Sequence, residues 1–150
     1  MEKFAAGIIP YFYFENEIYF LLGYEKSNNK WSGFVGGSEL YESITQTAIR
    51  EFNEETSLVF KDYLNYFESK CVNTPPIIEK TPTGKNVYLL FVESTPDIFF
   101  TDLDQLGLNQ TFIHDPHYRE KSKLKWFSLY DISRKKNILY RLKQTILKNF

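Results

Sequence analysis

Glu51, Glu54 and Glu55 stand at i, i+3 and i+4 of a segment with helical periodicity, with Arg50 directly before them. That spacing puts three carboxylates on one helical face. Carboxylates so close repel one another, and near a helix C-terminus they also oppose the macrodipole. One reading is a solvated acidic face. The other places a hard divalent cation among them, because carboxylate oxygens are the ligands that Mg²⁺ and Mn²⁺ prefer. Mg²⁺ keeps several waters and shares its coordination with phosphates, so the chemistry would be metal-assisted attack of water on a phosphoanhydride.

The helix that carries these groups is expected at 43–54, with Ile44, Ala48 and Phe52 at four-residue steps, Ile49 beside them and Ser43 as N-cap. Before it, 4–14 and 17–25 read as strands joined in a hairpin, with Pro10 placing the first at an edge or a bulge. Residues 27–30 form a loop, and 31–35 read as a short strand ended by Gly36 and Gly37. After the helix, 63–73 and 86–93 read as strands, separated by a Pro-rich surface loop at 74–85. Residues 94–118 show no sustained period, 124–129 is a further strand, and 131–149 is an amphipathic helix with Ile138, Leu139, Leu142 and Ile146 apolar. The pattern describes a mixed α/β layered domain, one domain over 1–150.

Composition narrows the function classes. An 18% share of aromatic residues excludes intrinsic disorder. No apolar run reaches the roughly 20 residues of a membrane span, and the N-terminus lacks a signal-peptide layout. A single Cys, Cys71, excludes an internal disulfide framework, and two His make a Cys/His zinc site unexpected. The expected setting is reducing and cytoplasmic, without a membrane partner. The net charge of −1 hides a polarised chain: residues 1–113 carry −8 and residues 114–150 carry +7. The basic third is either a solvated helix face or a basic rim near an acidic metal centre, suited to a polyphosphate ligand.

Gly36-x5-Glu42-x7-Arg50-Glu51-Phe52-x-Glu54-Glu55-x-Ser57-Leu58 resembles the Nudix box, G-x5-E-x7-R-E-U-x-E-E-x-G-U, where U is a bulky apolar residue. Eight of nine fixed positions agree; the departure is Ser57 in place of Gly. The resemblance implies an α/β/α sandwich around a mixed sheet, with the box as loop–helix–loop. It implies hydrolysis of a nucleoside diphosphate linked to another group, with Mg²⁺ or Mn²⁺. On matching positions, Glu51, Glu54 and Glu55 would bind metal, together with the carbonyl of Val35. Glu51 or Glu54 would help deprotonate the attacking water, Arg50 would orient the carboxylates, and Glu42 would pair with Arg50. Family members are often dimers, so a homodimer is among the expected partners. Trp31-Ser-Gly-Phe-Val-Gly36 is similar to the W-x-G-F-x-G segment of oxidised-purine nucleoside triphosphatases, while Val35 replaces the Pro of the commoner P-G-G. Gly at position 57 would serve a turn of unusual φ, which Ser tolerates at some cost.

Many members carry a further Glu before the late strand, as metal ligand or base. Glu120, six residues before Trp126, is the best match, ahead of Asp115 and Glu93. His114 and His117 are either loop residues or phosphate partners. Tyr11, Tyr13, Phe34 and Tyr88 are candidates to stack a base, and Trp31 is expected to pack or anchor a loop. The substrate classes left open are a nucleoside triphosphate, a dinucleoside polyphosphate, a nucleotide sugar and capped RNA, the last suggested by the basic third. The rival is a catalytically inactive nucleotide- or RNA-binding module on the same scaffold, which would normally have lost box carboxylates.

Overall fold

The computed structural model describes residues 3–150. The N-terminal hairpin is formed by β1 (Ala5–Phe14) and β2 (Glu17–Glu25). Its turn residues Glu15 and Asn16 both take left-handed φ, at 48° and 67°, as a tight hairpin turn demands. The chain continues through β3 (Lys30–Ser32), β4 (Phe34–Gly37), α1 (Ile44–Glu55), α2 (Leu64–Val72), β5 (Ile77–Lys80) and β6 (Asn86–Glu93). It then passes through α3 (Pro96–Phe99), α4 (Gln105–Gln110), β7 (Lys123–Ser128), α5 (Leu129–Arg134) and α6 (Tyr140–Asn149).

The seven strands form one mixed sheet in the order β3-β2-β1-β6-β5, with β4 also pairing β1 and β7 pairing β2. Only β1–β6 is a parallel pair among the described residues. Alternate residues of β1 serve opposite faces. Ala6 and Ile8 pack with Phe34, Phe52 and Phe67 under α1 and α2, while Ile9 packs with Phe20, Phe91, Ile132 and Ile146 under α5 and α6. This is the α/β/α sandwich that the family resemblance implies. Among the described residues no helix is long and apolar enough to cross a membrane.

Five expectations are corrected. Pro10 lies in a central strand, not at an edge. The carbonyl of Tyr11 accepts from Ser94 on the β6 side, so the Pro10 nitrogen faces the other side, where pairing with β4 ends at Ile8 and pairing with β2 begins at Tyr11. The missing N–H falls in that gap. Residues 63–73 are a 3-10 turn (Lys61–Tyr63) and α2 rather than a strand: Phe67 and Cys71, four apart, are its buried positions. The loop at 74–85 contains the edge strand β5, whose alternating half-burial was masked by the flanking prolines. Trp31 to Val35 is two strands broken at Gly33, where a Cβ would meet Ile9 at 2.5 Å. The terminal helix is two helices, because Trp31 donates to the carbonyl of Asn137 (2.8 Å) and accepts from Leu139 (2.9 Å), holding 135–139 out of the helix.

Candidate active site

The box helix α1 is fixed at its start by a reciprocal cap. Ser43 Oγ accepts from Gln46 N–H at 3.1 Å, and Gln46 Oε1 accepts from Ser43 N–H at 2.8 Å. Its rotation is set by Phe52, fully buried against the rings of Phe34, Phe60 and Phe67 at centroid distances of 5.4, 5.5 and 4.8 Å. Burying that ring turns Arg50, Glu51 and Glu54 toward the end of β4.

Gly36 is where the two elements meet. A Cβ there would lie 2.0 Å from Glu51 Cδ, so only glycine lets the strand end approach the carboxylate. Arg50 organises the acids as its planar fork allows. Its Nε donates to Glu42 Oε2 at 2.8 Å and its Nη2 to Glu42 Oε1 at 2.9 Å and to the Gly37 carbonyl at 2.8 Å. Its Nη1 donates to Glu51 at 2.9 Å and reaches Glu54 at 3.4 Å. Glu42 also accepts from Glu39 N–H and Thr47 Oγ1. The Arg50 guanidinium, followed by the backbone and hydroxyl donors, holds the Glu42 carboxyl down at about 2 against the opposing effect of burial. The guanidinium is correspondingly pushed up.

The other acids are pushed the opposite way. Burial, then repulsion from Glu54, raises Glu51 despite Arg50. Glu55 is only 2% exposed, and burial raises it well above the usual carboxylate range although Lys121 opposes this. One Glu55 oxygen lies 3.5 Å from Lys121 Nζ; the other is buried without a hydrogen-bond partner.

A cavity of about 310 Å³ opens over these groups, lined by Val35 to Gly37, Glu39, Arg50, Glu51 and Glu54, with His117 and Glu120 closing it from the loop before β7. Glu120 and His117 are thus brought to the box, whereas Asp115 and Glu93 do not line the cavity. Glu55 sits behind Glu51, toward Lys121, rather than in the cavity wall. Glu120 is shared with a second cavity of about 590 Å³, lined also by Glu25, Lys26, Ser27, His114 and Arg119.

The donor set suits a hard cation: it consists of carboxylates and backbone carbonyls, and one buried carboxylate oxygen of Glu55 is orphaned. Among the described residues no three such side chains already converge around one point. Arg50 and Lys121 engage the acids instead. That is compatible with Mg²⁺, which typically takes one or two carboxylates and completes its shell with water and phosphate. The residues present therefore fit such a cation.

Several candidates fall elsewhere. Phe34 is core, Tyr88 packs on Phe4 and Tyr11 on Phe150, and no Phe, Tyr or Trp lines either cavity, Tyr13 included. Trp31 is buried between Tyr24 and Phe127, an anchor as expected. Arg134, Lys135, Lys136, Arg141, Lys143 and Lys148 lie on or between α5 and α6, across the sheet from α1, so the basic tail forms no rim around the carboxylates. Lys121 was not foreseen. Within Arg119-Glu120-Lys121-Ser122-Lys123 it reads as one more surface charge, yet it is fully buried.

The NUDIX domain model matches residues 1–148, and the chain belongs to that family. It is 43% identical over 121 residues to the uncharacterized protein L534 of Acanthamoeba polyphaga mimivirus, covering 76% of this chain and 37% of that protein. The chain thus spans little more than a third of that relative. In fold it is similar to an Ap4A hydrolase of C. elegans in a binary complex (TM-score 0.60, 21% identity, 96% of this chain and 93% of that one). It is also similar to a NUDIX family hydrolase from Clostridium perfringens (TM-score 0.60, 17% identity, 99% and 95%). A third likeness is to the NUDIX domain of Shewanella oneidensis NrtR complexed with ADP ribose (TM-score 0.54, 18% identity, 97% and 84%).

Proposed function

We propose that the chain is a Mg²⁺- or Mn²⁺-dependent Nudix pyrophosphohydrolase acting on a nucleoside diphosphate-linked substrate. The observation that carries this reading is the single cavity lined by Glu51, Glu54 and Glu120 together with Arg50. Glu51 and Glu54 would hold the cation with the Val35 carbonyl, with Glu55 behind them as the third carboxylate of the box, and when bound it supplies neutralisation of phosphate charge. Glu54 or Glu51 accepts a proton from the attacking water; Glu120, across the cavity, is the alternative base. A water oxygen–phosphorus bond forms, the bridging phosphorus–oxygen bond breaks, and the leaving phosphate carries the electron pair away. Arg50, tied to Glu42, holds the carboxylates in register.

The substrate proposed is a dinucleoside polyphosphate. The second cavity adjoins the first at Glu120 and presents Lys26, Arg119 and His114, giving the phosphates beyond the cleaved bond a place to continue. The fold likeness to an Ap4A hydrolase supports the same class. Of the basic third that suggested capped RNA, the tail residues Arg134 to Lys148 lie on or between α5 and α6, away from the box carboxylates, and Arg119 lines the second cavity. A cytoplasmic setting is part of the proposal, supported by cysteine usage: the lone Cys71 is buried and free, so no disulfide is used. The test is phosphate or nucleotide release from a panel of dinucleoside polyphosphates, nucleoside triphosphates, nucleotide sugars and capped RNA, with and without Mg²⁺ or Mn²⁺. Release only with metal, fastest from the dinucleoside polyphosphates, is expected; binding without release from any of them would instead favour the inactive module.

A further inference from the structure

Ser57 stands where the box pattern has glycine, and its φ is 50°, with Leu58 following at 65°. A side chain there is strained, so the hydroxyl must be judged by what it gains. It is buried, donates to the Tyr118 carbonyl at 2.5 Å and accepts from Gln110 Nε2 at 3.0 Å. Gln110 Nε2 also donates to the Lys121 carbonyl at 2.7 Å, and Asn109 Nδ2 to the Ser57 carbonyl at 2.7 Å. Lys121 then buries its ammonium among Glu25 Oε1 (2.5 Å), Ser32 Oγ (2.6 Å) and Glu55 Oε1 (3.5 Å). A charge so placed is held by its partners, because leaving it unpaired is strongly unfavourable.

These bonds converge on one short segment. Residues 114–120 are exposed except for half-buried Tyr118, and the segment carries His117 and Glu120 to the cavity. We propose that Ser57, Gln110 and Lys121 form a clamp that fixes segment 116–121 against the end of the box helix and so sets the position of Glu120. Ser57 is a positioning residue that the glycine of the usual box cannot imitate. The catalytic part of this inference rests on the hydrolase reading; the clamp itself does not.

The variants S57G and Q110L test it. Glycine relieves the left-handed backbone, so S57G should melt at or above the wild-type temperature. Amide hydrogen exchange of residues 118–121 in the metal-free protein should nevertheless quicken at least tenfold. With a hydrolysed substrate, kcat should fall about tenfold with KM nearly unchanged, and Q110L should behave alike. A purely structural role predicts the reverse pairing, with lower melting and unaltered kcat. Unchanged exchange in both variants overturns the clamp whatever the turnover, and faster exchange with unchanged kcat overturns its positioning role. If the wild type hydrolyses nothing on the panel, the hydrolase reading and the catalytic role fall together, and exchange alone decides the clamp.

Discussion

Gly36 and Glu51 occupy one another's space: the Cβ that any other residue would bring to position 36 falls 2.2 Å from Glu51 Oε2. The first glycine of the box is therefore a steric partner of a carboxylate fifteen positions on, and not only a turn residue. Because the obstacle is the end of a flexible side chain, G36A should keep its melting temperature within a few degrees. Glu51 should be displaced from Arg50, and turnover should fall at least tenfold. Normal turnover in a folded G36A protein would mean that Glu51 need not sit where it does.

Glu42 makes the acid side of stability testable. Its carboxyl is held at about 2 in the folded protein, below the ordinary value of 4.5. A depressed carboxyl stabilises the fold above its unfolded value, and that stabilisation fades as pH falls from about 4.5 to about 2. Wild type should therefore melt higher than E42Q near neutral pH, with the gap closing across this window. Thermal melts at several pH values check it; a gap independent of pH would contradict the Arg50–Glu42 assignment.

Glu51 should act in the opposite sense. Burial and Glu54 raise its carboxyl, so its ionised form works against the metal-free fold near neutral pH. That penalty is relieved as pH falls through the raised value toward the ordinary one. E51Q should thus melt higher than wild type in chelator at neutral pH, and the gain should shrink toward pH 4.5. Adding Mn²⁺ should raise the wild-type melting temperature more than that of E51Q. Equal metal-induced shifts would remove Glu51 from the ligand set.

Much of the site could be read from residue spacing, because a helix fixes which side chains share a face. Arg50, Glu51 and Glu54 needed only the 3.6 period, and Ser43 with Gln46 is a local cap. Glu120 was reachable only through the family resemblance, as the Glu that precedes the late strand. What spacing could not reveal was contact between segments distant in sequence. Lys121 finds Glu25, 96 positions away, and Ser57 finds Tyr118, 61 positions away. Nor could composition show where the basic tail lies, since its placement depends on Trp31 pulling residues 135–139 out of the helix.

The most direct measurement compares wild type with E54Q for nucleotide release from a dinucleoside tetraphosphate, with Mn²⁺ and with chelator. Wild type should release product only with metal, and E54Q, still folded by its melting curve, should be slower by roughly a hundredfold or more. Near-normal release by E54Q, or equal release by wild type in chelator, would contradict a metal-dependent hydrolase built on these carboxylates.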